Sequence, residues 1–179
     1  MTLARRRMNA LRARRFRADE KGATAVEFAL IAAPFFFMMF AILELGLVFV
    51  LNSTLETATI SAGRLIRTGQ THESGASADT FRDEVCSRMS IFAPDCASRL
   101  RIDVRVMPRF ADTPPDPTAD GSFNEGALVF NQGEAGDIIL VRSWYSQPLM
   151  IPYMWHSLSR FDDGSIWLTA ATAFRNEPF

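Results

Sequence analysis

An apolar run near the start of the chain constrains the fold more than any other feature. Residues 29–43 contain no charged side chain, and after Glu44 the apolar character resumes as far as Leu51. Phe28 to Leu51 is a stretch of 24 residues, about 36 Å of α-helix at roughly 1.5 Å per residue. Such a helix can cross a bilayer with some tilt. The sequence therefore predicts a transmembrane helix over residues 23–51.

The net charge differs in sign on the two sides of this run. Residues 1–22 carry eight Lys/Arg against two acidic residues, a net charge of +6, whereas the rest of the chain has a net charge of −7. Short basic flanks stay on the cytoplasmic side of a membrane. We therefore expect a cytoplasmic basic leader, residues 1–22, and a periplasmic domain, residues 52–179. A basic cluster beside a membrane span usually sets topology, so we expect no nucleic-acid partner.

A glycine and a carboxylate mark the head of the helix. Gly22 follows the basic segment, and Glu27 lies five residues later, where a charge in lipid would cost roughly 2.5–3.5 kcal/mol on insertion scales. With the long apolar helix, these residues resemble the start of type IV pilin-like precursors, and most of all the TadE-like minor pseudopilins of the tight-adherence (Tad, or Flp) pilus. The major Flp pilins are similar but have Tyr directly after this Glu, in a Gly-x-x-x-x-Glu-Tyr pattern. Phe28 after the Glu, with the long carboxyl-terminal part, favours the TadE-like branch.

The resemblance implies functional residues, partners and a location. A prepilin peptidase would cut between Gly22 and Ala23, and Glu27 would pair with the new amine of Ala23 on a neighbouring subunit. The implied partners are the lipid bilayer, the prepilin peptidase, the major pilin, other Tad pilus subunits and the inner-membrane platform. The implied role is assembly of a type IVb pilus for surface adherence. Whether the chain stays in the bacterial inner membrane or enters the pilus is left open.

Glu44 is a second acidic residue within the apolar stretch. It lies 17 residues beyond Glu27, about 25 Å along a helix, and hence in the outer leaflet or at its interface. Its carboxylate either reaches periplasmic water or contacts a basic group on a neighbouring helix. TadE-like sequences resemble this one in having an acidic residue before a Gly here, as in Glu44-Leu45-Gly46. Glu27 and Glu44 are therefore both candidates for charge pairing in assembly.

The pattern beyond the span predicts that the helix continues. Apolar residues recur at helical spacing from Leu55 to Ile66, and Gly69 is a stop signal behind a basic last turn. The result is one helix of about 45 residues, transmembrane in its first half and amphipathic in its second. Pro34 removes one backbone hydrogen bond, so we expect a bend near Ala32.

The remaining chain predicts a second short helix and a small sheet. Asp79 is a candidate cap for a helix that places Phe81, Val85 and Met89 on one face. A Gly/Ser loop precedes it at residues 70–78, and a proline-rich loop spans residues 108–126.

Three stretches predict strands: Leu100 to Val106, residues 137–145 and residues 165–174. We expect an α+β, pilin-like fold, in which a small antiparallel sheet lies on the second half of the long helix. The apolar side of Leu100 to Val106 would face that helix.

Cys86 and Cys96 are the two cysteines of the chain. In an oxidising periplasm they are expected to form a disulfide, with two buried free thiols as the alternative. Closing so short a loop contributes about 2.5–3 kcal/mol of stability on the chain-entropy model.

No catalytic, cofactor or metal-binding pattern stands out, so we expect no enzyme. His72 and His156 are isolated, and the spacing of Asp112, Asp116 and Asp120 favours a solvated loop over a calcium site.

The alternative function is an unprocessed single-pass membrane protein whose periplasmic domain binds a ligand or an envelope polymer. Tyr145, Tyr153, Trp155 and Trp167 would form its exposed face, although such residues also complete small cores.

Overall fold

The computed structural model describes residues 21–118, 122–151 and 164–179. The chain divides into two compact units, Met1–Leu43 and Glu44–Phe179. The basic leader, apart from Lys21 and Gly22, lies outside the described residues, as do Asp120, Tyr153, Trp155 and His156.

The first helix, α1, runs unbroken from Lys21 to Arg67, a length of 47 residues. Within the described parts of the chain it is the one helix long and apolar enough to cross a membrane. It ends where predicted, because Gly69 adopts a left-handed conformation with φ of 77°, which glycine reaches without a Cβ penalty. Pro34 lies inside the helix, and the bend near Ala32 stays a prediction.

Three short helices follow: α2 (Gln70–Glu73), α3 (Ala78–Ser87) and α4 (Ala93–Arg99). The prediction of a loop over residues 70–78 missed α2, and α4 was also missed. The proposed cap at Asp79 is wrong: Ser77 caps α3, since its hydroxyl accepts the Thr80 N–H at 3.2 Å.

Three antiparallel strands form one sheet in the order β1-β2-β3, namely Leu100–Met107, Ile138–Pro148 and Ser165–Arg175. All three were predicted, and β2 runs three residues further than expected. The register pairs Val104 with Val141, and Val141 with Thr172.

The sheet lies on the second half of α1, as the alternation in Leu100–Val106 predicted. Leu55, Ala62, Leu100, Val104 and Val141 belong to one buried core. This arrangement confirms the α+β fold with a long helix packed on a small antiparallel sheet.

The helix and the sheet approach each other closely at Gly63. A Cβ there would lie 3.1 Å from Cε1 of Phe174 and 3.2 Å from Cγ2 of Thr172, both on β3. A methyl group at this position would therefore make tight contacts with β3, and a larger side chain would have to displace Phe174 or Thr172.

The segment between β1 and β2 returns to the sheet instead of extending into solvent. Val104 donates its N–H to the Val129 carbonyl at 2.7 Å and accepts the Asn131 N–H at 2.8 Å, which covers the outer edge of β1. Earlier in the same segment, Phe123 stacks on Trp167 of β3, with ring centroids 4.3 Å apart.

Candidate functional site

The head of α1 carries the three residues singled out for processing and pairing, and all are exposed. A Cβ built at Gly22 meets no atom within 4 Å, and Ala23 and Glu27 are likewise accessible. Among the described residues, Glu27 has neither an ion pair nor a hydrogen-bond partner for its side chain. Its carboxylate is thus free to meet a group from another molecule.

The side chains that follow are apolar and mostly exposed. Phe28, Leu30, Ile31, Phe35 and Leu43 each leave more than half of their surface uncovered. Among the described residues of the unit 1–43, nothing covers this surface, which is what lipid or the apolar helices of other subunits would do.

Glu44 is enclosed by its own chain. The residue is 4% exposed. Its carboxylate accepts the backbone N–H of Met150 and, at 3.2 Å, that of Ile151. Both donors belong to the segment directly after β2.

This geometry corrects the first interpretation of Glu44, in which the carboxylate reaches periplasmic water. Instead, the carboxylate accepts hydrogen bonds from two backbone N–H groups in a distant part of the same chain. Neither interpretation of Glu44 included these partners. No sequence signal marks that contact, since backbone N–H groups are common to almost every residue.

A buried ion cluster on the sheet was not predicted at all. Asp103 is fully buried, and its two carboxylate oxygens accept a bidentate pair of hydrogen bonds from Arg105 (2.7 and 2.5 Å). One of those oxygens, Oδ2, also accepts two hydrogen bonds from the guanidinium of Arg142 (3.1 and 2.8 Å). It also accepts the Val129 N–H at 2.9 Å. The cluster therefore joins β1, β2 and the returning segment.

The charge state of Asp103 follows from these partners. Burial by itself raises the pKa of Asp103, but the hydrogen bonds from Arg105, Val129 and Arg142, with the positive charge of Arg142, outweigh burial and lower the pKa below its ordinary value of 3.8. The group is a carboxylate at neutral pH. An internal partner for every charge indicates a structural role.

The aromatic residues proposed for an exposed binding face do not form one where the structure describes them. Tyr145 lies in the core, and burial raises its pKa above the ordinary 10.0, which the nearby Arg99 only partly offsets. Trp167 stacks on Phe123. The Arg142 guanidinium lies 4.8 Å from the centre of the Trp144 ring. Tyr145 therefore lies on the core side of the sheet, whereas Trp144 and Trp167 lie on the opposite side, where Trp167 is half-buried.

Cys86 and Cys96 form the predicted disulfide, which joins α3 to α4. Within the described residues, no group of three or more His, Cys, Asp or Glu is placed to hold a metal ion.

An open cleft of about 560 Å³ lies where the start of α2 meets the segment before β2. Its polar lining includes Thr71, His72, Gln132, Glu134 and Asp137.

Comparison with known proteins bears on the first part of this site. A family model described as TadE-like protein matches residues 22–76. The chain contains a TadE-like segment. Neither a curated protein nor a solved structure matches the chain.

The TadE-like segment begins at Gly22 and takes in Glu27, Glu44 and the end of α1. The match confirms the resemblance over these residues and indicates a role related to the Tad pilus. The apolar helix fits a single-pass membrane protein.

Proposed function

We propose that this chain is a minor pseudopilin that takes part in assembling a Tad (Flp) type IVb pilus for surface adherence. The observation that carries the proposal is the TadE-like segment, which coincides with an apolar helix whose head leaves Gly22, Ala23 and Glu27 exposed. An accessible head is what a peptidase and a neighbouring subunit both require.

Processing creates the group that Glu27 needs. A cut after Gly22 leaves a positive amine on Ala23, about 6 Å from Glu27 along the axis, since four residues rise roughly 1.5 Å each. Within one chain the helix fixes that separation, whereas the Glu27 of one subunit can approach the amine of its neighbour. In lipid, leaving either charge alone is costly. The pair would therefore fix the axial register of a docking subunit.

The proposal includes a location and a set of partners. The basic leader holds the amino terminus in the cytoplasm, so residues 52–179 face the periplasm of a bacterial inner membrane. The prepilin peptidase, the inner-membrane platform, the major pilin and other Tad pilus subunits are the proposed partners. The domain is not an enzyme.

Amino-terminal sequencing of the membrane-extracted protein tests the processing step. We expect the mature chain to begin at Ala23 with a free or methylated amine. Gly22→Leu should keep the leader, because the peptidase needs a small side chain at the cut. A Cβ at Gly22 meets no atom within 4 Å, so we expect the fold to be unaffected.

Gly46→Leu is the matched control, since a Cβ at Gly46 also meets nothing within 4 Å, and it should be cleaved normally. An intact leader in the wild-type protein would overturn the pseudopilin proposal.

A ligand-binding periplasmic domain on an unprocessed anchor is the second candidate. The cleft of about 560 Å³ beside Thr71 and Asp137 favours it. If Gly22→Leu retained full pilus assembly and surface adherence while remaining uncleaved, this second candidate would replace the first.

A further inference from the structure

Exposed apolar side chains lie next to Glu44 in the unit of residues 44–179. We name them the apolar collar: Leu45, Leu47, Phe49 and Val50 on α1, and Met150 after β2. At about 100° per residue, the four helix members point to every side of α1 except the one that Glu44, Val48 and Leu51 turn to the protein. Met150 and Phe49 are 72% and 74% exposed.

The collar continues the apolar surface of residues 28–43 without a polar break. The one charge between them, Glu44, is enclosed and hydrogen-bonded, so it does not mark the edge of the membrane. After Glu44 the next charged residue is Glu56. The helix from Phe28 to Leu51 measures about 36 Å, some 6 Å more than a hydrocarbon core of about 30 Å. On this measure Leu45 and Leu47 lie at the outer edge of the core, and Phe49 and Val50 lie in the excess length.

The hydrogen bonds of Glu44 fit the same location. Away from water, an unpaired backbone N–H costs free energy, and so does an unpaired carboxylate. Here the carboxylate satisfies the N–H groups of Met150 and Ile151 while they satisfy it. In water neither group would need the other.

We propose that the apolar collar lies in the membrane interface, so that lipid covers Leu45, Leu47, Phe49, Val50 and Met150. The unit of residues 44–179 then rests on the bilayer instead of standing clear of it. Glu44 is the positioning residue that holds the segment after β2 at this depth. The proposal rests on membrane anchoring alone and is independent of any pilus role.

Fluorescence quenching from lipid tests the collar. Single cysteines replace Val50 or Met150 in the full chain, and each introduced thiol is labelled with a fluorophore, since the native cysteines are held in the disulfide. The protein is reconstituted in phosphatidylethanolamine/phosphatidylglycerol vesicles whose acyl chains carry bromine. Both labels should lose fluorescence relative to unbrominated vesicles.

Ile60→Cys and Phe110→Cys are the controls. Ile60 lies on the same helix and is as exposed as Val50, 50% against 52%. Phe110 follows the end of β1 that pairs with Ile138, at the opposite end of the sheet from Pro148. Neither label should be quenched. Unquenched labels at positions 50 and 150 would overturn the proposal, because water or another protein would then cover the collar. Equal quenching at position 60 would also overturn it.

A second substitution tests Glu44. Glu44→Leu removes both acceptors, so the label at position 150 should lose its quenching while the label at position 50 keeps it. Glu44→Gln keeps one acceptor oxygen and should retain part of the quenching at position 150. Full quenching at position 150 in Glu44→Leu would overturn the positioning role.

Discussion

Asp103 illustrates how a single residue can join three parts of this domain. Its carboxylate accepts hydrogen bonds from Arg105 on its own strand, from Arg142 on the next strand and from the backbone of Val129. Removing one partner of a buried pair leaves an uncompensated charge, which typically costs about 3–5 kcal/mol.

Asp103→Ala should therefore lower the free energy of unfolding of the full chain in detergent micelles by roughly that amount. The matched control is Glu125→Ala. Glu125 is exposed, and it forms an ion pair with Arg101, which lies on β1 as Asp103 does. The Glu125–Arg101 pair should contribute less than about 1 kcal/mol to the free energy of unfolding. Equal losses in urea unfolding of the two variants would contradict the structural role of the cluster.

The same residue predicts how stability depends on pH. The pKa of Asp103 is lower in the folded chain than its ordinary value of 3.8, so the unfolded chain binds the proton more readily. The contribution of Asp103 to the free energy of unfolding is fully present at pH values above 3.8. It is lost as the pH falls through 3.8 towards the lower pKa of the folded chain. The difference in Tm between wild type and Asp103→Asn should accordingly shrink below about pH 4. A Tm difference that stays constant down to pH 3 would argue against a lowered pKa of Asp103 in the folded chain.

The charged residues show what the sequence could and could not predict at this scale. The alternation in β1 places Asp103 between Arg101 and Arg105 on the face away from the helix, a signal that was present but not used. Arg142 and Glu44 gave no comparable signal, because their partners lie about 40 and 106 residues away along the chain and depend on the register of the folded sheet.

At the scale of elements, the disulfide fixes α3 against α4. The sequence predicted this bond from two cysteines in an expected periplasmic domain, although it missed α4 itself, whose seven residues are too few for a clear helical period. Thiol labelling without reductant should find neither Cys86 nor Cys96 reactive, even in denaturant. Labelling of both would contradict the bond.

The double variant Cys86→Ala/Cys96→Ala should lower the free energy of unfolding. The separation is 10 residues, and a loop of that size predicts a loss of about 2.5–3 kcal/mol on the chain-entropy model.

Gly63 leaves little room for a side chain between α1 and β3. Gly63→Leu should destabilise the full chain by about 1–3 kcal/mol, since the new side chain must displace Phe174 or Thr172. Gly46→Leu places the same side chain in open space on the same helix. It should leave the urea midpoint nearly unchanged. Equal shifts in both variants would mean that the helix and sheet are further apart at Gly63 than 3.1 Å to Phe174 implies.

The elements themselves were predictable where periodicity was strong. Alternating apolar residues gave β1, and the helical spacing from Leu55 to Ile66 gave the second half of α1 and its buried face. The returning segment at Val129 to Asn131 was not predictable, because it pairs with β1 through backbone groups and its sequence carries no alternation.

At the scale of the whole molecule, the chain combines a TadE-like segment with a sheet domain whose charges are largely paired internally. Among the described residues, most of the large exposed apolar side chains lie on the first half of α1, where Glu27 stands on an otherwise apolar surface. That distribution favours a subunit that acts through its helix, and docking between helices is the central claim of the proposed function.

Crosslinking in cells that contain the other pilus subunits tests this claim most directly. A photoreactive residue replaces Ile31, which is exposed one helical turn after Glu27. The wild-type chain should crosslink to the major pilin, Glu27→Ala and Glu27→Gln should both lose most of that yield, and Glu56→Gln, at an exposed carboxylate outside the apolar run, should keep it. No crosslink in any chain, or equal yields in all four, would contradict docking through Glu27.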